Sequence, residues 1–224
     1  MKRVFTIVSI LFFSFTSLNA IAGFSYQKLD NGLDVFIMEN HSAPLVYIEI
    51  ALKAGAIVQQ KETAGLFHLY EHIIFKGNSK YKNASEVQRA LNDMGVTKWN
   101  GSTGDEFVNY YFTVPKSELE KGLEFWSYAI REPAIDEVEL ENEKKVVISE
   151  ITGGFSEPAR QFASAINYAL FPDYPWQLDP SGSVKNISEC SVEKLRQIQK
   201  DYYTADNAAL FIGAMLKKKK LQSL

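Results

Sequence analysis

Apolar and polar positions alternate over Leu33 to Met38 and again over Leu45 to Leu52, which predicts two strands; their closeness in sequence predicts an antiparallel pair. The pattern then changes to a helical period. Leu66, Leu69, Ile73 and Ile74 form one apolar stripe between Thr63, an N-cap residue type, and Gly77, a terminator. A second helix is predicted from Ala84 to Met94, ending at Gly95, and a strand from Phe107 to Val114. Lys116 to Arg131 reads as an amphipathic helix with Leu119, Leu123, Trp126 and Ile130 on one stripe. An acidic helix follows from Ile135 to Glu150, then an Ala-rich helix from Ala159 to Leu170 and a Pro-rich loop from Phe171 to Pro180. A helix from Val192 to Tyr203 and a strand from Ala208 to Ile212 complete the order. Strands interspersed with helices, without a regular parallel crossover pattern, predict an α+β fold with a mostly antiparallel sheet packed against helices.

The aromatic run Tyr110-Tyr111-Phe112 lies in a predicted strand, so successive rings face opposite sides of the sheet. A formal charge of −3 argues against nucleic-acid or membrane-surface partners. Cys190 is the single cysteine, which excludes an internal disulfide and a thiolate metal cluster, and it reads as a small buried residue at the start of a helix. His41, in the loop Asn40 to Pro44, has no evident partner and reads as a surface residue. Lys2 and Arg3, the apolar run Val4 to Phe15 and the small residues Ala20 and Ala22 predict a secretory signal peptide over residues 1–22. The run is short for a membrane span, so a stable membrane anchor is not expected.

His68-Leu69-Tyr70-Glu71-His72 concentrates the candidate chemistry. On a helix, histidines four residues apart lie on one face, ~6 Å apart along the axis, with Glu71 on the same side. Taken alone, the pair is open between a metal site and ordinary surface or core histidines. Two of the chain's three histidines fall in this single turn, which favours the metal. Catalytic zinc takes three protein donors and keeps one position open. The acidic helix supplies candidates for a third donor, because Glu143, Val147 and Glu150 share one face there, and a carboxylate beside a valine is inclined inward.

His68-x-x-Glu71-His72 with Glu143 and Glu150 resembles the inverted zinc motif of the pitrilysin and insulin-degrading metallopeptidase family, the inverzincins. Gly65-Leu66-Phe67 and Phe75-Lys76-Gly77 resemble the family's flanks, and Trp99-Asn100-Gly101-Ser102-Thr103 resembles its Asn-Ala-x-Thr strand. Asp201 to Leu210 resembles the segment closing the first subdomain, so the likeness runs from about Phe24 to Gly213. It implies a zinc metallopeptidase domain over residues 23–214, with one zinc ion on His68, His72 and Glu150 and with Glu71 as general base. Glu143 would support the site by orienting a ligating histidine. Asn100, Gly101, Ser102 and Thr103 would pair with an extended peptide substrate; the family usually has alanine where this chain has Gly101.

The resemblance also implies a bacterial envelope protein with a periplasmic address, and a second family domain or subunit closing over the first. The Lys-rich tail over residues 215–224 departs from the family's continuation and is expected to mark a truncation, with the second domain missing. The leading expectation is therefore a zinc endopeptidase or its metal-bearing half. The alternatives are a catalytically incompetent partner subunit, a truncated remnant that binds zinc or peptide without efficient turnover, and an envelope binding domain with a structural metal. Glu71 argues against the purely structural readings, which have no use for a base.

Overall fold

The computed structural model describes residues 23–214. The expected signal peptide and the Lys-rich tail lie outside the described residues. The fold is α+β. Six strands, β1 (Phe24–Lys28), β2 (Asp34–Glu39), β3 (Leu45–Leu52), β4 (Trp99–Thr103), β5 (Val108–Pro115) and β6 (Ala208–Ala214), form one sheet in the order β1-β2-β6-β3-β5-β4. Only the β2–β6 pair is parallel. The helices are α1 (Leu66–Ile74), α2 (Ala84–Asp93), α3 (Leu119–Arg131), α4 (Glu137–Gly154), α5 (Pro158–Leu170), α6 (Val184–Ser188) and α7 (Val192–Tyr202).

The expected β2–β3 hairpin does not form. β6 inserts between the two strands, with Phe36 opposite Phe211 on one side and Ile48 opposite Ile212 on the other. Alternation sets the face that each strand buries but says nothing of its neighbour, and β6 is apolar enough to occupy the centre of the sheet. β1 is an edge strand that the pattern leaves unmarked, since most of its residues are exposed.

Helix starts follow local chemistry. Asn83 accepts from Glu86 N at the head of α2, Asp136 from Glu139 N at α4, and Ser191 from Lys194 N at α7. Helices α1, α3 and α5 lack a side-chain cap, and at α1 the N-cap is Gly65 in a left-handed conformation, not Thr63. The Thr63 hydroxyl is turned back to accept from Gln60 N, and its carbonyl takes the Leu66 N–H.

One sheet face carries the core. Val46, Ile48, Tyr110, Phe112 and Val114 are fully buried there, and α3 lies against β3 and β5 with Phe125 and Trp126 pressed on Phe112. Tyr111 faces the other way, toward Tyr47. That outer face holds an aromatic row, Tyr26, Phe36 and Phe211, with centroids 5.0 Å apart at each step, and leaves Met38 and Phe211 exposed. Cys190 is buried just before α7, and burial pushes its thiol up to about 11. Replacing Phe112 by Ala opens a cavity against two aromatic rings, and unfolding in urea should show a loss of about 3–5 kcal/mol.

Candidate metal centre

Helix α1 buries its stripe and leaves one polar face. Leu66, Leu69, Tyr70, Ile73 and Ile74 are all essentially inaccessible, and Tyr70 stacks on Tyr203, whose hydroxyl meets that of Tyr110 at 2.8 Å. With those positions locked, His68 and His72 must face α4, and Glu71 must face β4. The two imidazoles lie edge to face with centroids 5.0 Å apart. Helix α4 meets them with Glu143, which is buried, and with Glu150, whose side chain is half exposed.

Both ring Nδ1 atoms are occupied. His72 Nδ1 faces Glu143 Oε2 at 3.1 Å, and His68 Nδ1 faces the Ser181 carbonyl at 3.4 Å. A carbonyl or carboxylate oxygen only accepts, so these partners assign the proton to Nδ1 and leave a lone pair on each Nε2. Those two Nε2 atoms lie 3.3 and 3.4 Å from Glu150 Oε2. Ligand bonds of about 2.0–2.1 Å to tetrahedral zinc give ligand–ligand edges of about 3.3–3.4 Å. Both nitrogen–oxygen separations match that edge, the three atoms all lie within 4.8 Å of one another, and three acceptors this close repel one another unless a cation lies between them, so the donor set fits zinc.

Lys76 supports the arrangement from beyond the helix end. Its ammonium is 2.7 Å from Glu143 Oε1, so the buried carboxylate is compensated on one oxygen and free to accept from His72 on the other. Burial is the main influence on His68, holding its pKa below the ordinary imidazole value, with the neighbouring His72 acting in the same direction.

Glu71 is not among the converging donors. Its Oε2 accepts from Thr103 Oγ1 at 2.6 Å, across the gap between α1 and β4. Burial raises its pKa above the ordinary carboxylate value, while the Thr103 hydrogen bond and His72 oppose that rise. A Cβ on Gly101 would lie 2.9 Å from Glu71 Cγ and 3.0 Å from the Tyr110 ring. A methyl group there would press on the Glu71 side chain, so Gly101 gives β4 a close approach to Glu71.

Of the residues expected to bind substrate, Asn100 and Ser102 are exposed on β4 and Gly101 is buried. Thr103 is engaged with Glu71, and the Ser102 hydroxyl donates to Asn109. β4 is the last strand of the sheet among the described residues, so its outer edge is unpaired. His41 does have a neighbour, Glu39, at 3.7 Å on the surface.

Sequence reasoning did not reach Ser181 or Lys76 as supports. A backbone carbonyl leaves no side-chain signature. Lys76 follows His72 by four residues, and that spacing was the available signal for a basic group near Glu143.

Residues 34–175 match the family model described as insulinase, peptidase family M16. The chain is 25% identical over 89% of its length to a zinc protease of Rickettsia felis, of which it covers 48%. It is 25% identical over 82% of its length to the insulin-degrading enzyme homolog of Dictyostelium discoideum, of which it covers 19%. The crystal structure of the periplasmic protease PqqL from Escherichia coli superposes with a TM-score of 0.82 at 18% identity, over 90% of this chain and 23% of that one. The chain thus spans about half or less of the length of these relatives. With more than half of its length matched by the family model, and with the family's inverted His-x-x-Glu-His arrangement on α1, the chain belongs to the insulinase family of peptidases, M16.

Proposed function

We propose that this chain is the metal-bearing half of a zinc endopeptidase, with His68, His72 and Glu150 holding one zinc ion and Glu71 as general base. The observation that carries the reading is the convergence of two Nε2 lone pairs on one carboxylate oxygen, each nitrogen–oxygen separation at the edge length of a tetrahedral zinc site. When bound, zinc supplies the Lewis acidity that polarises a peptide carbonyl and makes water nucleophilic near neutral pH. Glu71 takes the proton from the attacking water and returns it to the leaving amine. Its partly dehydrated carboxyl suits both transfers, and Thr103 holds the acceptor oxygen in place. Glu143 keeps the His72 ring oriented and does not take part in bond making.

The substrate class is an extended peptide or unfolded polypeptide that adds to the free edge of β4 at Asn100 to Thr103. A second similar domain or subunit completes the enclosure around it, a reading supported by relatives of which this chain covers 48% and 19%. The proposed address is the periplasm, reached through residues 1–22. A periplasmic structural neighbour supports it, and no helix among the described residues is long and apolar enough to cross a membrane. Fractionation of cells expressing a tagged chain should recover it in the periplasmic extract, and a purely cytoplasmic product would refute the address.

His68→Ala and His72→Ala should each abolish stoichiometric zinc in equilibrium dialysis, whereas Glu71→Gln should keep the metal. Supplied with a second half where the chain alone is silent, Glu71→Gln should lose at least ~100-fold in peptide cleavage, the scale of general-base catalysis. Full metal content in either histidine variant would refute the ligand set, and cleavage near the parent rate in Glu71→Gln would refute the base. A parent chain that binds zinc but never cleaves, with or without a second half, would instead be a non-catalytic subunit.

Replacing Ser102 by Pro removes a main-chain donor or misdirects the β4 edge, so peptide affinity should fall. A correctly folded Ser102→Pro variant with unchanged affinity would place the peptide elsewhere.

A further inference from the structure

His72 takes its orientation from a carboxylate on α4, but His68 depends on a main-chain carbonyl 113 residues away, that of Ser181. A carbonyl is only as well placed as its loop, and residues 178–182 are fastened from several sides. Buried Gln59 donates to the Leu178 carbonyl at 2.8 Å and accepts from Gly65 N at 3.3 Å, so one amide joins the loop to the residue that starts α1. Gly65 and Gly182, each at φ +90°, then meet back to back; a Cβ on Gly65 would lie 2.5 Å from Gly182 Cα, and one on Gly182 would overlap Gly65.

The third fastening comes from α5. Asp179 Oδ1 accepts from Ser181 N at 2.8 Å and from Ser181 Oγ at 2.7 Å, which fixes the turn that presents the Ser181 carbonyl. Arg160 crosses from α5 to donate to Asp179 Oδ1 at 3.4 Å and to Ser181 Oγ. Its guanidinium runs where a Cβ on Gly154 would overlap it, so the small residue at the end of α4 opens its path. Helix α5 buries none of its own residues, which leaves this polar bracket as a principal attachment near the site.

We propose that the loop of residues 178–182, held by Gln59, Arg160 and the Gly65–Gly182 contact, is the element that positions His68. By accepting the Nδ1 proton, the Ser181 carbonyl keeps the ring in the tautomer and orientation that turn Nε2 toward the metal position. Gly182 and Arg160 are positioning residues, since neither faces the converging donor atoms. The proposal rests on the zinc reading above, but the state of the His68 ring can be read without metal.

The test uses the full chain, ¹⁵N-labelled and zinc-free, at about pH 8, where imidazole is neutral. Long-range ¹H–¹⁵N correlations report which nitrogen of each histidine carries the proton. In the parent, His68 and His72 should both be protonated on Nδ1. In Gly182→Ala, which forces the loop from α1, and in the milder Arg160→Met, His68 should shift toward the Nε2-protonated form while His72, held by Glu143, should not. Zinc affinity by chelator competition should fall about 10–100-fold, the usual effect of removing a partner that orients a ligand.

An unchanged His68 tautomer with zinc affinity within about twofold of the parent in both variants would overturn the proposal, as would equal shifts in both histidines, which would mean general loosening. If Gly182→Ala does not fold, Arg160→Met decides alone, because its side chain is one-third exposed and its polar contacts among the described residues all lie in this bracket. A parent that binds no zinc would overturn the metal reading, while the tautomer comparison would still judge the loop.

Discussion

Three hydrogen-bond acceptors aimed at one point repel one another, and much of this half of the fold serves to hold them there. The Nε2 atoms of His68 and His72 lie within 3.4 Å of Glu150 Oε2, so any slack in α1 or α4 would let the groups drift apart. Neither helix has slack. α1 is wedged by Leu69, Tyr70 and Ile73, none of them accessible, and α4 by Leu140, Val147 and Ile151. Packing of that density resists small displacements. The apolar stripe of α1 is therefore part of the site, because it holds the polar face where a cation would relieve the repulsion.

The sequence makes the direction of these side chains legible, but not their depth. Glu143 and Glu150 share one face of α4, as their spacing requires, yet Glu143 is nearly inaccessible and Glu150 half exposed. The difference arises because α1 and Lys76 cover the first, whereas the second lies at the open end of the crossing. Periodicity within one helix cannot report what another helix covers. The same limit explains β6: alternation in β2 and β3 marks their buried faces, but the strand that separates them is about 160 residues away in sequence. Thr63 fails as a cap for a related reason, since the start of α1 is set by Gly182 and Gln59 rather than by the nearest hydroxyl.

The two histidines are supported by different kinds of group, and this bears on what substitution would do. His72 leans on a charged side chain that is itself neutralised by Lys76, a short network across two helices. His68 leans on a carbonyl, a neutral acceptor set by loop geometry. A carboxylate partner makes the ring more basic and a stronger donor to metal, whereas a carbonyl mainly fixes its orientation. The proposed site would thus join one electronically assisted ligand to one that is geometrically constrained, and only the first leaves a mark in the sequence, as Glu143.

Glu71 joins the candidate metal centre to the sheet edge. Its carboxylate is bonded to Thr103 on β4, and Gly101 on the same strand makes room for its methylene. Glycine in a strand packs nothing of its own, and here the space it leaves is taken up by the Glu71 methylene and the Tyr110 ring. The consequence is a fixed relation between base and edge. A peptide pairing with the main chain of β4 would be registered against the strand that holds Glu71, at a distance set by one hydrogen bond of 2.6 Å. In the proposed reaction, substrate placement and proton transfer would then share one ruler, the backbone of β4. Sequence preference would be weak, because main-chain pairing ignores side chains, while the position of the scissile bond would be strict.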